Sequence, residues 1–156
     1  MTIPSIDNRG LLPPGIYQAG WNDVYYRFGF TFDRFMLIRN AHDFSVQELA
    51  VFQDAQLFLA GSMISDNAHP EDIEMTIKIN IHTLSPSLFS RYLIISSAHD
   101  RLLLVSSLDF YFSINLPGLN DFISFFQYAG KKNGIVRNIN IKDKRGIIEV
   151  TQWMHE

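Results

Sequence analysis

Residues 57–79 read LFLAGSMISDNAHPEDIEMTIKI. An apolar run closes in Gly61-Ser62, nine residues intervene, and the pair Asp72-x-Glu74 opens a second apolar run. From Ile73 onward the pattern has period two. Ile73, Met75, Ile77, Ile79 and Ile81 share one face, and Glu74, Thr76, Lys78 and Asn80 share the other. Strand side chains alternate between faces, so 73–81 reads as a strand. The preceding run, Gln56–Ala60, is short and apolar and reads as a buried strand. A pair of strands joined by a polar segment therefore lies near the middle of the chain, and the fold contains a sheet.

Outward from this pair, WNDVYYRFGF predicts a short helix with Asn22 or Asp23 near its cap and an end around Gly29. In FSVQELAVFQDA, Phe44, Leu49, Val51 and Phe52 fit one helical face, and Ser45 with Glu48 has capping-box spacing. A helix from about Ser87 to Ser97 follows Ser85-Pro86. Leu102–Ile114 reads as one long or broken strand containing Asp109. Asp121–Tyr128 reads as a helix stopped by Gly130, and Gly146–Trp153 as a final alternating strand. Residues 1–20 are rich in Pro and Gly. Pro13-Pro14-Gly15 suits neither a helix nor a central strand, so this part reads as an extended arm and turn. Interleaved helices and strands predict an α/β (α+β) domain with a mixed sheet of about four to five strands flanked by helices. With 156 residues and no repeat or linker, 1–156 is expected to form one domain.

Composition narrows the function classes. Hydrophobic residues make up 47% of the chain, enough for a packed core. Thirteen Lys and Arg against sixteen Asp and Glu give a formal charge of −3, so there is no strong nucleic-acid signal. A nucleotide ligand stays open, because one small basic pocket does not show in a net charge. The absence of Cys excludes disulfides and thiolate metal sites. MTIPSIDNRGLLPPG has neither the basic nor the apolar region of a signal peptide. No apolar stretch approaches the roughly 20 residues of a membrane-spanning helix. A cytoplasmic protein with no membrane partner is the expectation.

The opening stretch also carries chemistry. Gly61 allows close backbone approach and Ser62 adds a hydroxyl donor, a combination suited to a phosphate. Carboxylates one residue apart on a strand project from the same side, so Asp72 and Glu74 suit a hard cation such as Mg²⁺. Asp109 interrupts an otherwise apolar strand and is the candidate third carboxylate. Taken singly, each half has an ordinary reading: Gly-Ser is a common turn, and acids at a strand's start are commonly solvated. The combination of strand, Gly-Ser, spacer, Asp-x-Glu and strand is more specific.

AGSMISDNAHPEDIEMTI resembles the signature of the DNA polymerase β-like nucleotidyltransferase superfamily: Gly with Gly or Ser, a spacer of about ten residues, then Asp-apolar-Asp/Glu-apolar. RGLLPPGIY near the start and FFQYAGKKNG with KDKRGIIEV near the end resemble a small bacterial and phage family of nucleotidyltransferase-like proteins. The resemblance implies a nucleotidyltransferase-like sheet with Gly61 and Ser62 as the nucleotide-binding turn. It implies Asp72, Glu74 and Asp109 as catalytic, metal-ligating carboxylates, with Mg²⁺ or Mn²⁺ as cofactor. The activity it implies is metal-dependent transfer of a nucleotide from an NTP to an acceptor. An alternative is a catalytically inactive relative that serves as an interaction module with a protein partner, of the phage-defence or toxin–antitoxin type.

This chain departs from the superfamily pattern in several respects, among them the short segment after Ser62 that ends in an acid. The second acid is Glu74 where Asp is more usual, and no Lys or Arg lies close to the motif in sequence. Arg91, Arg101, Lys131 and Lys132 are available, and the loops Lys131-Lys132-Asn133-Gly134 and Lys142-Asp143-Lys144-Arg145-Gly146 are the local positive clusters where phosphates would be sought. The five histidines show no i, i+4 pair, so zinc is not expected. His99-Asp100 and His42-Asp43 read as helix caps, and His69 as an exposed loop residue. The aromatic segments 21–32 and 122–128 read as core.

Overall fold

The computed structural model describes residues 3–154. Five strands form one mixed sheet: β1 (Gly15–Ala19), β2 (Gln56–Ala60), β3 (Ile73–Ile79), β4 (Leu108–Ile114) and β5 (Gly146–Val150), in the order β1-β5-β2-β3-β4. β2 runs antiparallel to both β5 and β3, whereas the β1–β5 and β3–β4 pairs are parallel. The helices are α1 (Trp21–Phe28), α2 (Phe32–Phe44), α3 (Pro86–Ser97), α4 (His99–Ser106), α5 (Phe122–Phe126) and α6 (Gly130–Arg137). The mixed α/β architecture expected from the sequence is therefore present.

A parallel neighbour cannot be reached by a hairpin, so β3 and β4 need a crossover, and α3 and α4 supply it. β2 and β3 are buried on nearly every residue, and Leu57, Leu59, Ile73, Met75 and Ile77 are wholly inaccessible. Both strands lie inside the sheet. Thr76 faces Ser113 of β4 with a 3.0 Å hydroxyl contact, which satisfies two buried polar groups. Trp21, Val24 and Phe28 of α1 and Leu37, Ile38, Ala41 and Phe44 of α2 pack into the same core.

Several boundaries differ from the sequence reading. α2 begins at Thr31, whose hydroxyl accepts from the Arg34 N–H, and runs on into a π turn at Ser45–Leu49. Ser45 is thus inside a helical run, and its hydroxyl donates to the His42 carbonyl at 2.7 Å. Buried positions 34, 37, 38, 41 and 44 carry the helical period that decides this segment. His42 lies within α2 rather than before it and stacks on Trp21. The run expected as one strand from Leu102 divides: 102–106 belong to α4, Ser107 turns at φ 54°, and only Leu108–Ile114 pairs with the seven residues of β3. Ile81 leaves β3 for a 3₁₀ turn capped by Asn80. Gly130 opens α6 instead of merely stopping α5, and β5 ends at Val150. The Pro-rich arm contributes β1 and buries Leu11 and Leu12 completely.

Candidate functional site

β2 leads into Gly61, which adopts φ 78° and ψ −167°. Register sets Ala60 opposite Glu74, so the turn and the carboxylate are neighbours. A Cβ on residue 61 would stand 2.8 Å from the Glu74 Cδ. Gly61 is therefore required twice, once by its dihedral and once by the close approach. Ser62 follows in a 3₁₀ turn (Ser62–Ile64), and Ser65 Oγ donates to the Ser62 carbonyl at 2.7 Å.

The spacer between Ser62 and Asp72 has little regular structure, and arginines hold it. Arg34 is wholly buried on α2 and donates to the carbonyls of Phe28, Met63, Ser65 and Asn67. Arg137 of α6 pairs with Asp66 at 2.7 Å and donates to the Arg9 carbonyl at 2.8 Å. Arg145, just before β5, donates to the Gly61 carbonyl at 2.5 Å. The N-terminal arm joins the same stitching: the Asp66 N–H donates to the Gly10 carbonyl, and Leu11 bridges to Ser65. Burial lowers the Arg34 pKa to about 10, with Asp66 opposing the shift. Burial likewise lowers Arg145 to about 10, and Glu74 opposes.

Ser62, Asp72 and Glu74 line one cleft of about 1170 Å³. Glu74 carries the largest carboxyl shift. Burial raises its pKa to about 7, Arg145 draws it down, and Asp72 and Asp109 add repulsion. Asp72 is raised by burial first and by Asp109 next. Asp109 lies beside Glu74 in the β3–β4 register. It accepts from His99 Nε2 at 3.0 Å and does not itself line the cleft. The His99 ring also lies tilted against Tyr111, and the Tyr111 pKa is raised to about 12, by burial first and then by its hydrogen bond to Asp109. Burial pulls the His99 pKa down, but its bonds to Asp100 and Asp109 outweigh this and raise it.

The structure thus brings Gly61, Ser62, Asp72 and Glu74 together and sets Asp109 next to them on a histidine. Among the described residues no group of three His, Asp or Glu side chains is arranged to hold a metal ion. Asp72 and Glu74 nonetheless supply two carboxylates to one cleft. That fits Mg²⁺, which commonly takes one or two protein carboxylates together with waters and substrate phosphates.

The far side of the cleft comes from α6, which contains Lys131-Lys132-Asn133-Gly134 where the sequence suggested a loop, and from the basic segment 142–145 before β5. Lys131, Lys132 and Lys142 line it, whereas Arg91 pairs with Glu48 and neither Arg91 nor Arg101 reaches it. His69 is exposed and outside the cleft lining. The sequence pattern assigns no individual role to Arg34 or Arg145, and it reads His99 as a helix cap, whereas His99 is the first residue of α4 and bonds Asp109. Arg34 had a local signal, being a charged residue on the otherwise apolar stripe 34, 37, 38, 41. Arg145 stands out in sequence only as part of the basic cluster 142–146, and its bond to Gly61 has no local signal, since that carbonyl lies 84 residues away. The aromatic core reading holds for Trp21, Phe28 and Phe126 but not for Tyr26, Phe30 and Phe32, which are exposed, nor for Phe125, which is 66% exposed at the cleft.

The site and sheet define a class: a mixed α/β domain whose central strands deliver a glycine-serine turn and two carboxylates to a lysine-walled cleft. The chain belongs to the family of unknown function DUF6932, whose pattern matches residues 4–151. No curated protein and no solved structure matches it.

Proposed function

We propose that the cleft is a nucleotidyltransferase site, taking a nucleoside triphosphate and passing its nucleotide to a hydroxyl acceptor. One observation carries the reading: Ser62, Asp72 and Glu74 line the same cleft as Lys131 and Lys132. The Ser62 hydroxyl and the turn beside it suit a phosphate oxygen, and Gly61 leaves room for close approach. Asp72 and Glu74 would hold Mg²⁺ or Mn²⁺, and such an ion supplies charge neutralisation at the reacting phosphate. The acceptor oxygen would bond to the α-phosphorus as the bond to pyrophosphate breaks, with the acceptor's proton released. His99 keeps Asp109 hydrogen-bonded beside Glu74, which holds the acidic end of the two strands in place.

Calorimetry of NTP binding in the presence of Mg²⁺ or Mn²⁺ tests this. Wild type is expected to show metal-dependent heat that Asp72→Asn abolishes; negligible heat in both overturns the reading. A second reading, an interaction module for a protein partner, is favoured by the exposed apolar residues of α4, where Leu104 is 86% and Val105 74% exposed. It would stand if the calorimetry fails.

A further inference from the structure

The cations of the far wall are not equivalent. Lys132 pairs with Glu71 at 3.4 Å and Arg137 pairs with Asp66. Lys131 and Lys142 are exposed at the cleft and form no ion pair among the described residues. Beneath them, Arg145 also lines the cleft although it is only 2% exposed. One of its guanidinium nitrogens holds the Gly61 carbonyl, and its Nε has no hydrogen-bond partner. The charges bearing on it are the carboxylate of Glu74 against the cations Arg137 and Arg9. A buried guanidinium in that company leaves a positive field directly behind the Gly61–Ser62 turn, and low surrounding dielectric strengthens it. Free lysines at the rim and a buried, incompletely partnered arginine below call for an anion with several charges spread over some length.

We propose that Lys131, Lys142 and Arg145 form a polyphosphate subsite, in which the two lysines bind the outer phosphates and Arg145 attracts the phosphate nearest the turn. The inference rests on the nucleotide reading only for which polyphosphate is the natural ligand; the chemistry recognised is the phosphate chain itself. Phosphate oxygens take charge-assisted bonds from ammonium groups. The same cleft has an apolar part suited to a nucleobase, with Phe125 66%, Val136 76% and Ile141 52% exposed.

The test uses inorganic tripolyphosphate in EDTA as the probe, read by calorimetry on the full chain. Wild type is expected to bind it, and Lys131→Ala/Lys142→Ala to weaken binding by at least about tenfold, the loss of two charge-assisted bonds. Lys78→Ala, an exposed lysine outside the cleft, is expected to leave the affinity unchanged. Equal affinity in wild type and the double variant overturns the subsite, as does an absence of tripolyphosphate binding by wild type. A drop with Lys78→Ala equal to that of the double variant also overturns it, since binding would then follow overall charge. Both lysines are exposed, and an unchanged circular dichroism spectrum verifies that the double variant is folded.

A second probe, Mg²⁺ with NTP, separates this failure from failure of the transferase reading. If wild type and the double variant bind it alike while Asp72→Asn does not, the subsite is wrong and the transferase reading survives. If tripolyphosphate binding depends on the lysines but Mg²⁺-NTP never binds, the subsite stands and the transferase reading falls.

Discussion

The two walls of the cleft are built on opposite plans. One wall, the turn at Gly61 and the spacer up to Asp72, has almost no regular structure, yet Met63, Ile64 and Ser65 are buried within it. Its carbonyls are satisfied by guanidinium groups from α2 and the start of β5. The other wall, α6 and its flanking loops, is regular but buries no residue of its helix. It is tied down by backbone bonds such as Ala129 N–H to Asp143 O at 2.8 Å and Arg145 N–H to Gln127 O at 2.8 Å, and by the Arg137 side chain on Asp66 and the Arg9 carbonyl. Secondary structure is thus a poor guide to rigidity here. The irregular wall is fixed by several buried bonds, whereas the helical wall relies on Arg137 and a few backbone bonds and has less to resist local opening.

Removing the stitching should break this contrast most severely. Arg34→Ala leaves the carbonyls of Phe28, Met63 and Asn67 without their donor, so a loss of about 3–5 kcal/mol is expected. Urea denaturation measures it as a drop in midpoint at constant slope; a change under about 1 kcal/mol would mean that the spacer does not depend on Arg34.

Gly61→Ala comes next. The positive φ costs about 1–2 kcal/mol for an L-residue, and the new methyl would also displace the Glu74 carboxyl. A total of about 2–3 kcal/mol is expected, together with loss of nucleotide binding; full binding at wild-type stability would contradict the close approach.

Glu74 gives a pH test of the same wall. Its folded pKa of about 7 lies above the ordinary 4.5, so the folded state holds this proton more tightly than the unfolded chain. That contribution is complete below about pH 4.5 and is lost as pH rises through about 7, amounting to about 3 kcal/mol. Glu74→Gln should flatten this part of the stability profile. An unchanged slope between pH 4.5 and 7 would assign it to other groups.

The smallest stability effect belongs to the helical wall. Lys131→Ala should stay within about 0.5 kcal/mol of wild type by thermal unfolding, as expected of an exposed side chain without an ion pair. A larger loss would show that α6 is anchored through that residue.

How much was legible before folding varies from element to element. β3 was legible because a strand with one face toward the core must alternate, and 73–79 does. α4 was misread as strand because its leucines and valine sit in an apolar run that local pattern cannot assign. The division falls at Ser107, where β4 takes up the register of β3. α2 went unread because the Ser45 capping-box pattern drew attention to a start that lies inside a continuous helical run.

The Gly61-Ser62 turn and the Asp72–Glu74 pair were readable by spacing, since backbone dihedral preference and strand alternation act over a few residues. The company they keep was not. Arg145 reaches Gly61 across 84 residues, His99 reaches Asp109 only because α4 folds back beside β4, and of the cations the sequence offered, folding alone brings the 131–132 and 142–145 clusters to the cleft and leaves Arg91 and Arg101 outside it. Local sequence determined which backbone shapes and which acids this protein presents. Only the packing of the sheet decided which charges surround them, because electrostatic neighbours are set by distance in space rather than by distance along the chain.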